Sequence, residues 1–173
     1  MHKMSVGELL SQYAQGRRNF NEISMEKVDL FEADLESINL ANSKLNEAYL
    51  PYANLSYANL QNSEMTAAEL GNIRLYQANL SGANLEDTNL SRANLRYANL
   101  QGANLSNVNL QGADLYNANL SDANLHSADL RGANLEQAQL TNANLSRCNL
   151  YRSKMANLFD ANCDRTTISP EGY

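Results

Sequence analysis

Two histidines, His2 and His126, and two cysteines, Cys148 and Cys163, are the residues of this 173-residue chain best suited to nucleophilic, acid–base or soft-metal chemistry. Catalysis would need a nucleophile and a base within hydrogen-bond reach, in a concave site. These four do not supply that pattern. His2 belongs to a terminus expected to fray, and His126 stands beside Ser127 as a solvated surface residue. The cysteines have no metal-ligand spacing, and two are too few for a disulfide scaffold. No glycine-rich phosphate loop is present. No catalytic, cofactor-binding or metal residue is therefore expected, and the chain is expected not to be an enzyme.

Composition bounds the remaining classes. The net charge is −6 and the isoelectric point about 4.9, so direct nucleic-acid binding, which needs a basic footprint, is not expected. Apolar residues never run long enough to span a bilayer, and the first residues lack an apolar stretch of signal-peptide length. A cytoplasmic protein without membrane attachment is the expectation. Five Asn-Leu-Ser sequons, at Asn54, Asn89, Asn104, Asn119 and Asn144, follow from the repeat described next and carry no weight without a secretion signal.

Leu, Asn and Ala number 27, 26 and 22, and their order explains the excess. Leu recurs at every fifth position from Leu30 to Leu60 and from Leu70 to Leu150, with Met65 between. Phe20 and Met25 extend this register backward and Met155 forward, giving 28 centres from position 20 to position 155, of which 24 are Leu. Two residues before each centre the side chain is small or compact, as at Ala53, Ala103, Ser43, Thr88 and Cys148, and the residue between is usually Asn or Asp.

A period of five fits no helix face, because at about 100° per residue successive centres would spiral around the cylinder. Apolar, polar, apolar over three residues is instead the alternation of a short extended segment with one face buried. The two polar residues that follow can turn a corner. Such a unit cannot bury its own Leu, so units must wind into coils and coils must stack.

The motif Ala-(Asn/Asp)-Leu-x-x, complete 14 times in this register and well shown by Ala93-Asn94-Leu95 and Ala98-Asn99-Leu100, resembles the pentapeptide-repeat family. The resemblance implies an all-β solenoid, a right-handed quadrilateral β-helix of about seven coils, four units to each, roughly 34 Å long at the usual strand spacing. It implies repeats over residues 18–157, with an N-terminal segment at 1–17 and a C-terminal cap at 158–173. The structural core then includes Phe20, Met25, Leu40, Met65, Leu80, Leu100, Leu120 and Leu140. Cys148 takes a small inward position, and its stacking partner twenty residues on is Ile168, so no bridge to Cys163 is expected.

The ends need covers, because open coils expose unpaired backbone. Ser5 and Glu8 have capping-box spacing, Val6, Leu9, Leu10, Tyr13 and Ala14 share one helical face, and Gly16 is a natural stop. A short α-helix over residues 5–15 is expected to lie on the first coil. Gly16-Arg17-Arg18-Asn19-Phe20 resembles the opening of cyanobacterial family members, one of them a regulator of heterocyst differentiation. Pro170 cannot join a central ladder, so a lid is expected at the other end.

Sorting outward residues by twenties on the four-sided pattern gives one polar column, one modestly acidic side with Glu47, Glu64, Glu86 and Asp87, and one column with Tyr57, Tyr76, Tyr97 and Tyr116 in consecutive coils. Arg96 shares that last column and Arg92 sits just before its corner. Exposed Tyr and Arg are enriched at protein interfaces, so these six residues form the candidate interface for an unidentified protein partner. The expected function is a non-enzymatic scaffold, expected as a monomer and without cofactor. The resemblance also implies an alternative, a DNA-mimicking inhibitor of a type II topoisomerase. The charge argues against it: duplex DNA carries about twenty charges over 34 Å, against a net −6 here.

Overall fold

The computed structural model of the chain describes residues 1–154 and 157–172. The last expected centre, Met155, lies outside the described residues. Parallel bridges join residues twenty apart without a slip, from Asn19↔Asn39 and Ser24↔Lys44 through Asn134↔Lys154. Four five-residue units therefore close each coil. Each bridge falls on the residue just before a centre, so the extended part of a unit is very short.

The unit centred on Leu100 shows why this sequence tolerates so little regular strand. Its five backbone N–H groups all find acceptors. Leu100 and Gly102 donate to Asn119 and Ser121 of the next coil at 2.7 and 2.9 Å, Asn104 donates to Ala83 of the preceding coil at 2.9 Å, and Ala103 closes a turn onto Leu100 at 3.0 Å. The fifth, Gln101 N–H, donates to the side-chain Oδ1 of Asn99 at 3.2 Å. Where Asn or Asp precedes a centre, as in most units, its Oδ1 thus satisfies the one donor that neither neighbouring coil nor turn can reach. Its Nδ2 remains free to bond the coil before: Asn99 donates to Asn79 at 3.2 Å and Asn104 to Asn84 at 3.0 Å.

The corners have their own signature. The second residue after every centre, from Glu22 to Arg152, has φ between 53° and 66°. This left-handed conformation is strained for L-residues other than Gly and, to a lesser degree, Asn and Asp. Gly82, Gly102, Gly112 and Gly132 meet it freely, but Tyr52, Tyr57, Arg92 and Tyr97 do not.

Inside, the centres form one continuous core. Phe20, Met25, Leu40, Met65, Leu80, Leu100, Leu120 and Leu140 are each no more than 3% exposed, with Ala, Ser43, Thr88 and Cys148 buried between them. The polar members are satisfied: Thr88 Oγ1 donates to Met65 O at 2.9 Å and Cys148 Sγ to Leu125 O at 2.7 Å. Burying one Leu contributes about 1.5–3 kcal/mol, so the stack is held by its neighbours, coil on coil.

Both ends are closed by segments outside the period. Helix α1 spans Val6–Ala14, with Ser5 and Glu8 forming the reciprocal capping box and Gly16, at φ 96°, ending it. Leu9 is fully buried, and Val6 and Tyr13 pack against the first coil; Tyr13 Oη donates to Glu36 O at 2.8 Å. Leu10 and Ala14, expected on the same face, are exposed instead, because a single turn of contact around Leu9 is all a flat coil end can offer. The first residues also depart from the expectation of fraying. His2–Lys3 form a strand, β1, paired in parallel with β2 at Ile23–Ser24. Met4 N–H donates to Ser24 O at 3.2 Å, which seats Met4 in the core, 6% exposed.

At the far end the register slips: Asn144 bridges Asn162 and Asn149 bridges Ile168, eighteen and nineteen residues on. Thr167 Oγ1 caps Leu145 O at 2.9 Å, and Arg152 N–H donates to Pro170 O at 2.9 Å. Pro170 contributes its carbonyl, the one backbone hydrogen-bonding group it has. Among the described residues no helix is long and apolar enough to cross a membrane.

Candidate interaction faces

The residues considered first for chemistry lie apart. His126 is half-buried rather than freely solvated, its Nδ1 2.8 Å from Ser146 Oγ in the next coil. Cys148 is buried and Cys163 exposed, both as free thiols. Burial pushes the Cys148 thiol up to about 12, which leaves it a neutral packing group at any ordinary pH.

The four tyrosines of the candidate interface do come together. Tyr57, Tyr76, Tyr97 and Tyr116 form a continuous edge-to-face ladder, with ring centroids 5.6, 5.7 and 5.7 Å apart. The spacing follows from the fold. Coils stack at the strand separation of about 4.8 Å, and alternating between the first and second residue after the centre tilts each ring against the next. Tyr57 and Tyr97 sit at left-handed corners and are 49% and 39% exposed.

Arg96 is fixed onto this ladder. Its Nη1 donates to Asp114 Oδ2 at 3.0 Å, and its guanidinium carbon lies 4.6 Å from the Tyr116 ring centre and 5.8 Å from that of Tyr97. The Asp114 hydrogen bond raises the guanidinium pKa further above its ordinary value. Arg92 lies on the neighbouring face, exposed, with its Cγ over Gly112. It flanks the ladder without stacking on it.

The acidic side is partly neutralised. Glu47 pairs with Lys27 at 3.2 Å and Glu64 with Lys44 at 3.4 Å. Glu86 and Asp87 instead accept from Asn104 and Asn107, at 3.4 and 3.0 Å.

Sequence reasoning missed a second aromatic group. Phe31 stacks on Tyr49 at 6.1 Å and meets Tyr52 edge-on at 6.0 Å, and all three are roughly half exposed. They occupy three different positions of their units. Only following all three outward positions through two coils at once would have grouped them.

The sequence matches the family described as pentapeptide repeats, in eight copies, over residues 29–66, 73–112 and 118–155. The chain belongs to the pentapeptide-repeat family. Its members are right-handed quadrilateral β-helices and serve in general as structural or protein-interaction scaffolds. Among solved pentapeptide-repeat structures, the chain is 31% identical to HetL, involved in heterocyst differentiation regulation in the cyanobacterium Nostoc sp. strain PCC 7120, covering 98% of this chain and 99% of that one with a TM-score of 0.46. It is 27% identical to Rfr23 from the cyanobacterium Cyanothece 51142, covering 92% and 96%, TM-score 0.38. Trypsin-treated QnrB1, a plasmid-mediated fluoroquinolone resistance protein, shares 19% identity over 86% of each chain with a TM-score of 0.55, a likeness of fold. No curated protein matches the chain.

Proposed function

We propose that this pentapeptide-repeat protein is a non-enzymatic scaffold of about seven coils that docks a protein partner on its Tyr57–Tyr116 face. The carrying observation is the edge-to-face ladder with Arg96 braced on it by Asp114. Each ring pair contributes about 0.5–1.5 kcal/mol beyond area burial. Holding Tyr57 and Tyr97 in left-handed corners costs about 1–2 kcal/mol each. Every unit has such a corner, so this strain comes with the coil and not with the ladder. What the ladder provides is a rigid, half-exposed aromatic surface whose side chains have already lost their rotamer freedom, the condition that favours binding.

The test is capture of proteins from a lysate of the native organism by the wild type and by the Arg92→Ala/Arg96→Ala/Tyr97→Ala variant, with melting followed in parallel. Loss of a partner with unchanged melting supports this face as the interface; equal capture sinks it. Regulation of heterocyst differentiation is the narrower form of the proposal and rests on sequence similarity at Gly16–Phe20. Inhibition of a type II topoisomerase by DNA mimicry has less support, since Glu47, Glu64, Asp114 and Asp129 are each matched by a basic side chain. A supercoiling assay is expected to show no inhibition at micromolar protein.

A further inference from the structure

The net charge is not spread along the rod. Residues 20–75 carry nine acidic and three basic side chains, whereas residues 76–154 carry six of each. Two of the three bases in the first stretch are engaged, Lys27 with Glu47 and Lys44 with Glu64. The Phe31–Tyr49–Tyr52 cluster lies within this acidic region.

Its surroundings are set by the register. Tyr49 bridges Asp29 on one side and Glu69 on the other, and Glu32 follows Phe31 at the corner, all three carboxylates exposed. Pro51 and Gly71 stand in the positions stacked beyond Phe31, so no long side chain rises there beside the rings. Among the described residues, the other aromatic side chains in ring contacts have an arginine of this chain on their stack. Arg18 lies 3.7 Å from the Tyr13 ring centre, Arg17 4.6 Å from Phe20, Arg96 4.6 Å from Tyr116 and Arg152 4.9 Å from Tyr151. Phe31, Tyr49 and Tyr52 are framed by carboxylates instead.

Ring faces are electronegative and attract cations, most strongly a planar guanidinium that can stack and also bond a carboxylate with its edge. We infer that the Phe31–Tyr49–Tyr52 patch, with Asp29, Glu32 and Glu69 around it, is a docking site for an arginine-bearing segment of a partner protein. Nucleic acid and anionic membrane have the wrong sign for this region. The site lies on a different face from the tyrosine ladder and does not depend on it.

The probe is a fluorescein-labelled peptide of three Arg-Gly-Gly repeats, titrated with the full chain and followed by fluorescence anisotropy at about 0.15 M salt, where diffuse surface attraction is largely screened. A matching citrulline peptide lacks the charge. Saturable binding of the arginine peptide is expected, weakened about tenfold by Phe31→Ala/Tyr52→Ala, which leaves net charge unchanged. Tyr97→Ala is expected to bind as the wild type does, and the citrulline peptide not at all. Should the double variant melt early, Asp29→Asn/Glu32→Gln serves in its place, with a comparable loss expected. The inference is overturned if the wild type does not bind the arginine peptide, if a folded aromatic variant binds it equally well, or if the citrulline peptide binds as tightly.

Discussion

Arg96 and Asp114 sit in consecutive coils, joined at 3.0 Å, and the pair holds the guanidinium over the Tyr116 ring. Both side chains are more than a third exposed, so water screens the charge and the ion pair itself adds little to stability. Its consequence is orientation. Asp114 also accepts Tyr116 N–H at 3.1 Å and Asn134 Nδ2 at 3.0 Å through Oδ1, contacts that an Asn could keep. Asp114→Asn is therefore expected to shift urea-unfolding stability little while releasing Arg96 and weakening partner capture. Unfolding curves and capture measured on the same variant separate the two effects.

Leu100 lies in the middle of the core and is fully buried. Leu100→Ala is expected to cost about 2–5 kcal/mol, since coils stacked at fixed spacing cannot collapse around the cavity. Leu100→Asp would place a carboxylate there with no partner and is expected to abolish soluble folding. Denaturant unfolding of the first and soluble yield of the second check this; an aspartate variant that melts like the wild type would overturn the inward assignment of the centres.

The parts of the fold that depend on spacing were legible from residues alone. The five-residue step, the inward Leu and the capping box at Ser5 and Glu8 each need only one segment and its period. What was missed depends on three-dimensional neighbours. Leu10 has helical spacing for burial, but the coil end is too narrow to reach it. The role of Asn99 as acceptor for Gln101 N–H emerges only once the other four donors of that unit are accounted for. The left-handed corners left a trace, in Asn at positions 42, 62, 72, 107, 117 and 142 and Gly at 82, 102, 112 and 132, masked by the Tyr, Arg and Glu that share the position. The tyrosine ladder was visible because it repeats through four consecutive coils of one column, and the Phe31 cluster was not, because it spans only two coils and three positions of its units.

The Asn side chain that precedes most centres should be separable into its acceptor half and its donor half. Asn104 Oδ1 accepts Ser106 N–H at 3.3 Å, and its Nδ2 donates to Asn84 at 3.0 Å. Asn104→Ala leaves the Ser106 donor to water and is expected to cost about 1 kcal/mol. Asn104→Asp keeps the acceptor but turns a carboxylate toward Asn84 Oδ1 and Glu86. Amide exchange at Ser106 is expected to quicken in the alanine variant and stay slow in the aspartate variant.

The corner glycines offer a matched pair. Gly102 and Gly82 share φ +65°, but a Cβ at Gly102 meets open space and one at Gly82 runs into Asn62 Oδ1. Gly102→Ala is expected to cost only the backbone strain, about 1–2 kcal/mol. Gly82→Ala is expected to cost more, and Asn62→Ala made with it should bring the two costs together. A double-mutant cycle on thermal unfolding measures the difference.

Cys148 makes a prediction in pH. Burial raises its thiol to about 12 from an ordinary value near 9, so between those values the unfolded chain has lost a proton that the folded chain keeps. The unfolded state then binds fewer protons, and stability must fall as pH rises. This thiol gives stability a downward slope between about pH 9 and about pH 12, absent below pH 9. Cys148→Ala places at this inward position the residue most units already use, so it should fold and should lose that slope while other alkaline titrations remain. In the native state a thiol reagent at neutral pH is expected to label Cys163 and spare Cys148, because Cys148 is both covered and un-ionised. Rapid labelling of both thiols in folded protein would mean that the last complete coil opens readily, and the Thr167 and Pro170 caps would then be too weak to hold the end closed.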